Sequence, residues 1–155
     1  QVVNMIRIQK NRFNYAKEVD YFSNKNKFSG AVCSFLGKVR KESMSKTIKS
    51  IFIEHYEKMT VHQLNNIVKI TRENWKIDDY LIIHRYGKIN IGDNIVLILV
   101  ASQHRNDSLK SVEYIIDWLK VKATFWKKET LEDGSYWVSQ KDKDIKKMVK
   151  YKLKY

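Results

Sequence analysis

The chain has no proline, a single cysteine, and no apolar run longer than Ile95–Ala101 in its 155 residues. The lone Cys33 cannot close an internal disulfide, and four histidines without a cysteine cluster offer no zinc-ligand spacing. A reducing, cytoplasmic setting is the expectation. A membrane-spanning helix needs roughly 18–20 apolar residues, and the N-terminal residues show no signal-peptide pattern, so no membrane association is expected. Also missing are a Gly-rich phosphate loop at a helix start, an internal repeat, a low-complexity tract and a Gly/Ser linker. With no boundary to draw, residues 1–140 read as one domain and residues 141–155 as a basic C-terminal tail.

What is present suits a folded domain. Hydrophobic residues make up 43% and aromatics 12% of a chain long enough to bury a core without disulfides. Thirty Lys and Arg against seventeen Asp and Glu give a net charge of +13, which favours an anionic partner. The basic residues are spread along the chain, and no zinc finger, RNP-type aromatic motif or helix-turn-helix is recognisable. Nucleic acid is therefore the weaker reading of the charge. The lack of proline and the abundance of Lys, Asn and Ile fit a biased genomic composition, which lowers its weight further.

Hydropathy patterning predicts strands over Val2–Ile8, Gly30–Arg40, Ile48–Glu57, Asp79–Tyr86 and Asn94–Ser102, with Gly87 and Gly92 as turn residues in "GKINIGD". Helices are expected over Asn14–Phe22 and Thr60–Trp75. In the latter, Val61, Leu64, Ile67, Val68 and Trp75 share a face, and Thr60 with Gln63 forms a capping-box pattern. Another helix places Leu109, Val112, Ile116, Leu119 and Ala123 on one face, with Asn106 or Asp107 as N-cap. Thr124–Thr130 and Ser135–Val138 read as a hairpin around "EDG", and the charged stretch Lys41–Lys49 as a mobile loop. Helices and strands mix without regular βαβ alternation. The fold class expected is α+β with largely antiparallel pairing and two principal amphipathic helices.

Several clusters could carry chemistry. In "KVKATFWKKE", Lys120 lies in the last turn of a helix and Lys127 on the strand leaving it, so a chain reversal would bring both amines to one pocket. Neighbouring ammonium groups and partial burial each lower a lysine pKa, which favours a neutral amine able to act as nucleophile or proton carrier. The alternative is a helix C-terminus enriched in lysine for dipole reasons, with the strand lysines in water. His104 and Arg105 in "ASQHRND" join a very apolar strand to a helix start, where free backbone N–H groups suit phosphate or carboxylate. Equally, Arg105 could pair with Asp107 at the surface. Lys38 and Arg40 in "GKVRK" follow an apolar strand, where binding residues or a plain solvated loop are both reasonable. His55 has no triad or metal-ligand spacing. His84 and Arg85 sit mid-strand and read as structural, and Cys33 reads as a small core residue.

Five stretches add specificity by their order and spacing: "GAVCSFLGKVR", "EHYEKM", "IIHRYGKINIGD", "VASQHR" and "FWKKE…DGSYWV". From about Ile6 to Val138 the chain resembles the large, catalytic subunit family of molybdopterin synthase. The resemblance implies an α/β-hammerhead fold and a homodimer within a heterotetramer. It also implies a small ubiquitin-like sulfur-carrier subunit, whose C-terminal Gly-Gly thiocarboxylate enters a pocket and gives sulfur to cyclic pyranopterin monophosphate. Two such transfers build the dithiolene of molybdopterin, and the family needs no metal or organic cofactor for that step.

Position by position, the resemblance implies that Lys120 and Lys127 are the catalytic lysines and that Arg40 is the motif arginine. His104 and Arg105 match a pair that helps hold the pterin phosphate from the neighbouring protomer. Phe35 falls at an aromatic position lining that region, and Lys38 is taken with Arg40 as substrate-binding. The chain departs from the family pattern twice: Thr124 stands where proline is usual, and Lys122 where arginine is frequent. A non-catalytic carrier-binding scaffold and a basic nucleic-acid-binding module are the competing readings.

Overall fold

The computed structural model describes residues 5–43, 46–55, 57–121, 125–131 and 134–138, with side-chain surroundings for residues 5–41, 49–55 and 57–121. Three helices and nine strands lie among them, in the order β1 (Met5–Gln9), α1 (Tyr15–Lys25), β2 (Ala31–Lys38), β3 (Glu42–Ser43), β4 (Lys46–His55), α2 (Glu57–Asn74), β5 (Asp79–Arg85), β6 (Gly87–Asn90), β7 (Asn94–Ser102), α3 (Arg105–Val121), β8 (Phe125–Leu131) and β9 (Gly134–Val138).

The strands form two sheets. The first has the order β1-β5-β7-β2, in which only β1 and β5 run parallel. In the second, β4 carries β3, β6 and β8 as antiparallel partners, and β9 pairs with β8. The α+β expectation holds, with pairing largely antiparallel.

Strand alternation divides the core of the first sheet between its two faces. Tyr80, Ile82, Val96, Ile98 and Val100 pack with Leu64, Ile67 and Val68 of α2 and with Val112, Ile115 and Leu119 of α3. The intervening Leu81, Ile83, Leu97, Leu99 and Ala101 pack on the other side with Phe22, and Phe13, Tyr15 and Val19 lie against them. Both faces of β5 and β7 are therefore buried, which is why these strands read as unbroken apolar runs rather than as alternation. A third cluster, Val39, Ile51, Ile53 and Ile89, belongs to β4, β6 and the residue after β2. Half-buried Ile95 touches both this cluster and the α2–α3 side of the first sheet.

The helix starts differ from expectation. Asn14 does cap α1, its side chain accepting from the Lys17 amide at 3.0 Å. Helix α2, however, begins at Glu57, directly after β4, so Thr60 is a buried residue inside the helix and not its cap. Helix α3 begins at Arg105, which places Asn106 and Asp107 in its first turn. Leu109, expected on the buried face, is 54% exposed, while Ser108, Ser111 and Ile115 are buried. Half of the supposed mobile loop Lys41–Lys49 is also regular: Glu42 pairs with Thr47 and Ser43 with Lys46, giving β3 and the start of β4. Polar side chains concealed the hairpin because its pairing is carried by the backbone. Residues 141–155, Ala123 and Val2–Asn4 fall outside the described residues.

Close approach explains one glycine. A Cβ on Gly30 would stand 2.1 Å from the Gln103 carbonyl oxygen, so only glycine lets the start of β2 lie against the β7–α3 junction. Gly30 N–H donates to the Ser102 carbonyl at 3.0 Å and completes that contact.

Candidate functional site

The ends of β7 set the geography of the expected site. Lys38 is register partner of Asn94 at its start, and Ala31 is partner of Ser102 at its end. At about 3.3 Å per residue the strand spans roughly 27 Å. Helix α3 leaves the far end through Gln103 and His104 and packs back along β7 and β2 for about 25 Å. Lys120, in its last turn, thus returns to the end where β2 finishes.

Two expected residues share that end with Lys120, and a third, Phe35, lies mid-strand. Lys38 and Arg40 are exposed on either side of buried Val39. Backbone bonds from Val39 N–H to the Asp93 carbonyl and from Gly92 N–H to the Val39 carbonyl, both 3.0 Å, fix the chain there, so the two cations project from a rigid strand end. Phe35 is half-buried opposite Ile98 and packs against the α2–α3 core. Strand β8 opens nearby, with Phe125 paired to His55 and Lys127 paired to Ile53. The side chains of Phe125, Trp126 and Lys127 lie outside the described residues, as do Lys122 and Thr124.

His104 and Arg105 stand at the opposite end of β7, both exposed. The His104 carbonyl accepts from Ser102 Oγ at 2.6 Å and from Asp107 N–H at 3.2 Å, which holds the turn into α3. Among the described residues Arg105 and Asp107 form no ion pair. Asp107 Oδ1 instead accepts from Lys76 N–H at 3.4 Å. Within one chain these two side chains are therefore separated from Lys38, Arg40 and Lys120 by the length of the sheet.

Sequence reasoning set aside two histidines at this end, His84 near Lys120 and His55 near His84. His84 is the next-to-last residue of β5, paired with Val96, and is 8% exposed. Its Nδ1 lies 2.8 Å from the Arg85 carbonyl oxygen. Burial pushes its pKa down to about 4; the bond to Arg85 opposes this, and the charges of Lys120 and His55 reinforce it. His55, at the end of β4, stacks on Tyr86 with ring centroids 4.5 Å apart, and burial lowers its pKa against the pull of Glu57. No local signal could have found this group, since it joins β4, β5 and α3 from distant parts of the chain. Cys33 behaves as expected: burial raises its thiol pKa, which disfavours the thiolate.

A separate cleft of about 170 Å³ is lined by Arg12, Phe13, Arg85, Gly92, Asp93 and Asn94. Arg12 reaches both Asp93 oxygens at 3.3 Å, and the buried Arg85 guanidinium donates to the Lys10 and Asn94 carbonyls. These bonds tie the β1–α1 and β6–β7 connections together. No group of acidic, histidine or cysteine side chains suited to a metal ion occurs among the described residues. Likewise, no helix among them is long and apolar enough to cross a membrane.

Comparison with known proteins agrees with this fold. The family model described as MoaE protein matches residues 8–122. The molybdopterin synthase catalytic subunit of Haemophilus ducreyi is 38% identical over 123 residues, covering 79% of this chain and 82% of that protein. Among solved structures, the molybdopterin biosynthesis MoaE protein from Burkholderia ambifaria superposes with a TM-score of 0.79 at 34% identity, covering 96% of this chain and all of that one. The molybdopterin synthase structure from Staphylococcus aureus gives 0.77 at 32% identity, over 86% of this chain and 96% of its own.

Proposed function

The chain belongs to the MoaE protein family and has the function of a molybdopterin synthase catalytic subunit, and we propose that it performs it as a sulfurtransferase. The sulfur donor is the C-terminal Gly-Gly thiocarboxylate of a small ubiquitin-like carrier, and the acceptor is cyclic pyranopterin monophosphate. In each transfer the thiocarboxylate sulfur forms a bond to a side-chain carbon of the pterin, and that carbon gives up its bond to oxygen. Water then cleaves the acyl–sulfur bond of the resulting thioester, so the sulfur stays on the pterin and the carrier departs as an ordinary carboxylate. Two transfers give the dithiolene.

The observation that carries this reading is the return of α3, which sets Lys120 at the strand end that also presents Lys38 and Arg40. Thiocarboxylate, phosphate and departing oxygen are all anionic, so fixed cations stabilise both the bound state and the charge that develops during transfer. Lys120 stands nearest the thiocarboxylate as cation and proton carrier. Lys127, reached by the chain a few residues later, assists on the substrate side. Arg40 and Lys38 bind substrate, and Phe35 lines the pterin region.

The wide separation of His104 and Arg105 from Lys120 supports their acting on a second protomer's site. The assembly is then a homodimer carrying two small subunits. A mixture of purified chain, thiocarboxylated carrier and cyclic pyranopterin monophosphate, read out as the fluorescent oxidised derivative of molybdopterin, tests the reaction. Product in a single turnover is expected; none, with carrier bound, contradicts the catalytic reading in favour of a scaffold.

A further inference from the structure

The reaction described above uses cations, but the end of α3 also holds a neutral acceptor that it leaves without a role. A carbonyl oxygen can only accept a hydrogen bond, so the 2.8 Å approach of His84 Nδ1 to the Arg85 carbonyl assigns the ring proton to Nδ1. The second nitrogen, Nε2, then carries a lone pair. By strand alternation His84 follows Tyr80 and Ile82 on the face of β5 that packs against α2 and α3, toward the last turn of α3 where Lys120 sits. His55 comes from β4 with the Tyr86 ring tilted against it, and Arg85 lies next in β5 with its guanidinium committed to the Lys10 and Asn94 carbonyls. On the neighbouring strand β7 the register partner is Val96, which does not titrate. A group with these surroundings stays uncharged at neutral pH. It is a buried acceptor among positive neighbours.

We infer that His84 is a positioning residue for Lys120: locked as the Nδ1–H tautomer, it offers its Nε2 lone pair to the lysine amine and holds that amine at the end of α3. The inference rests on the catalytic reading of Lys120. A hydrogen bond to the ammonium form favours that form, so His84 keeps Lys120 protonated and directed while the anionic substrates bind. The imidazole touches neither substrate and moves no proton of its own. Its partner does the chemistry.

Two variants separate the two ring nitrogens. In His84→Asn the amide can still donate to the Arg85 carbonyl, but nothing reaches the Nε2 position. In His84→Gln the amide oxygen reaches that position and can accept. Single-turnover rates across pH, with wild type and Lys120→Ala alongside, are expected to show His84→Asn slowed about tenfold. Its limb set by the lysine proton should move to lower pH by about one unit, with the KM for the pterin little changed. His84→Gln should restore the wild-type limb. Active wild type and inactive Lys120→Ala, together with an unshifted His84→Asn profile, would overturn the positioning role alone. An inactive wild type, by contrast, would defeat the catalytic reading itself. Histidine-selective ¹⁵N NMR of the unmutated protein needs no folded variant: a protonated Nδ1 and bare Nε2 at neutral pH are expected, and the opposite tautomer overturns the inference.

Discussion

Asn26 donates from Nδ2 to the Asp79 carboxylate across 2.8 Å, joining the residue that ends α1 to the first residue of β5. The carboxylate is fully buried, and it also accepts from Lys25 Nζ at 3.1 Å and from Tyr80 N–H at 2.9 Å. Asp79→Ala would leave the Asn26 amide and the Lys25 ammonium facing a void. Because Lys25 remains partly solvated, the expected loss is about 2–3 kcal/mol rather than the full cost of an orphaned buried charge. Urea denaturation measures it. A change below about 0.5 kcal/mol would mean that the network does not hold α1 to the sheet.

Gly30→Ala tests a second contact at the same end of β7. The added Cβ would meet the Gln103 carbonyl, which is backbone and cannot swing aside. Destabilisation of about 1–3 kcal/mol is expected, together with displacement of the turn that presents His104 and Arg105. A melting curve and a crystal structure of the variant check both.

Helix α3 allows a paired comparison. Val112→Ala removes buried methyl groups and should cost about 1–2 kcal/mol, whereas Leu109→Ala, at a site 54% exposed, should stay within about 0.5 kcal/mol. Equal costs would mean that the buried face of α3 has been misplaced.

Acid should destabilise the fold through His84. Its pKa when folded, about 4, lies below the unfolded value of 6.5, so between those two pH values the unfolded chain binds more protons. Stability contributed by the neutral ring is complete above about pH 6.5, falls as the pH drops toward 4, and is gone below it. The total is on the order of 3 kcal/mol. Chemical denaturation from pH 7 to 4, with His84→Asn as reference, should show a steeper loss for the unmutated protein. Parallel curves would contradict a buried neutral histidine.

Much of this architecture was legible in the residues. Asn94–Ser102 matches β7 because a short unbroken run rich in β-branched and apolar residues, bounded by turn residues, suits a strand buried on both faces. The cluster at Leu64, Ile67 and Val68 identified the buried face of α2. The start of α2 misled because Thr60 and Gln63 imitate a capping pattern, while the helix begins a turn earlier, straight from β4. Leu109 misled because a helix of this spacing can turn its apolar stripe by one position and bury small serines instead. The β3–β4 hairpin was hidden because main-chain pairing leaves no hydrophobic signature where both faces are polar. Lys38, Arg40 and Lys120 were picked out by motif, and the structure sets them at one sheet end. His84 and His55 were read as structural or left without a role, since their meeting depends on β4, β5 and α3 arriving from far apart in sequence.

The roughly 27 Å span of β7 leads to a complementation experiment. If His104 and Arg105 serve the neighbouring protomer, a Lys120→Ala protein and an Arg105→Ala protein, each inactive alone, should regain activity when their protomers are exchanged, because mixed dimers contain one intact site. Activity assays after co-refolding read this out, and mixtures as inactive as their components would place both groups in one chain's site.

The central claim is that Lys120 performs chemistry at the end of α3, and a single-turnover assay on Lys120→Ala reaches it most directly. Thiocarboxylated carrier, cyclic pyranopterin monophosphate and either protein would be mixed, with carrier binding and thermal stability measured on the same samples. The account predicts product from the unmutated chain and at least a hundredfold slower formation by the variant, about 3 kcal/mol of lost transition-state stabilisation, with binding and melting nearly unchanged. Full activity in Lys120→Ala would contradict it.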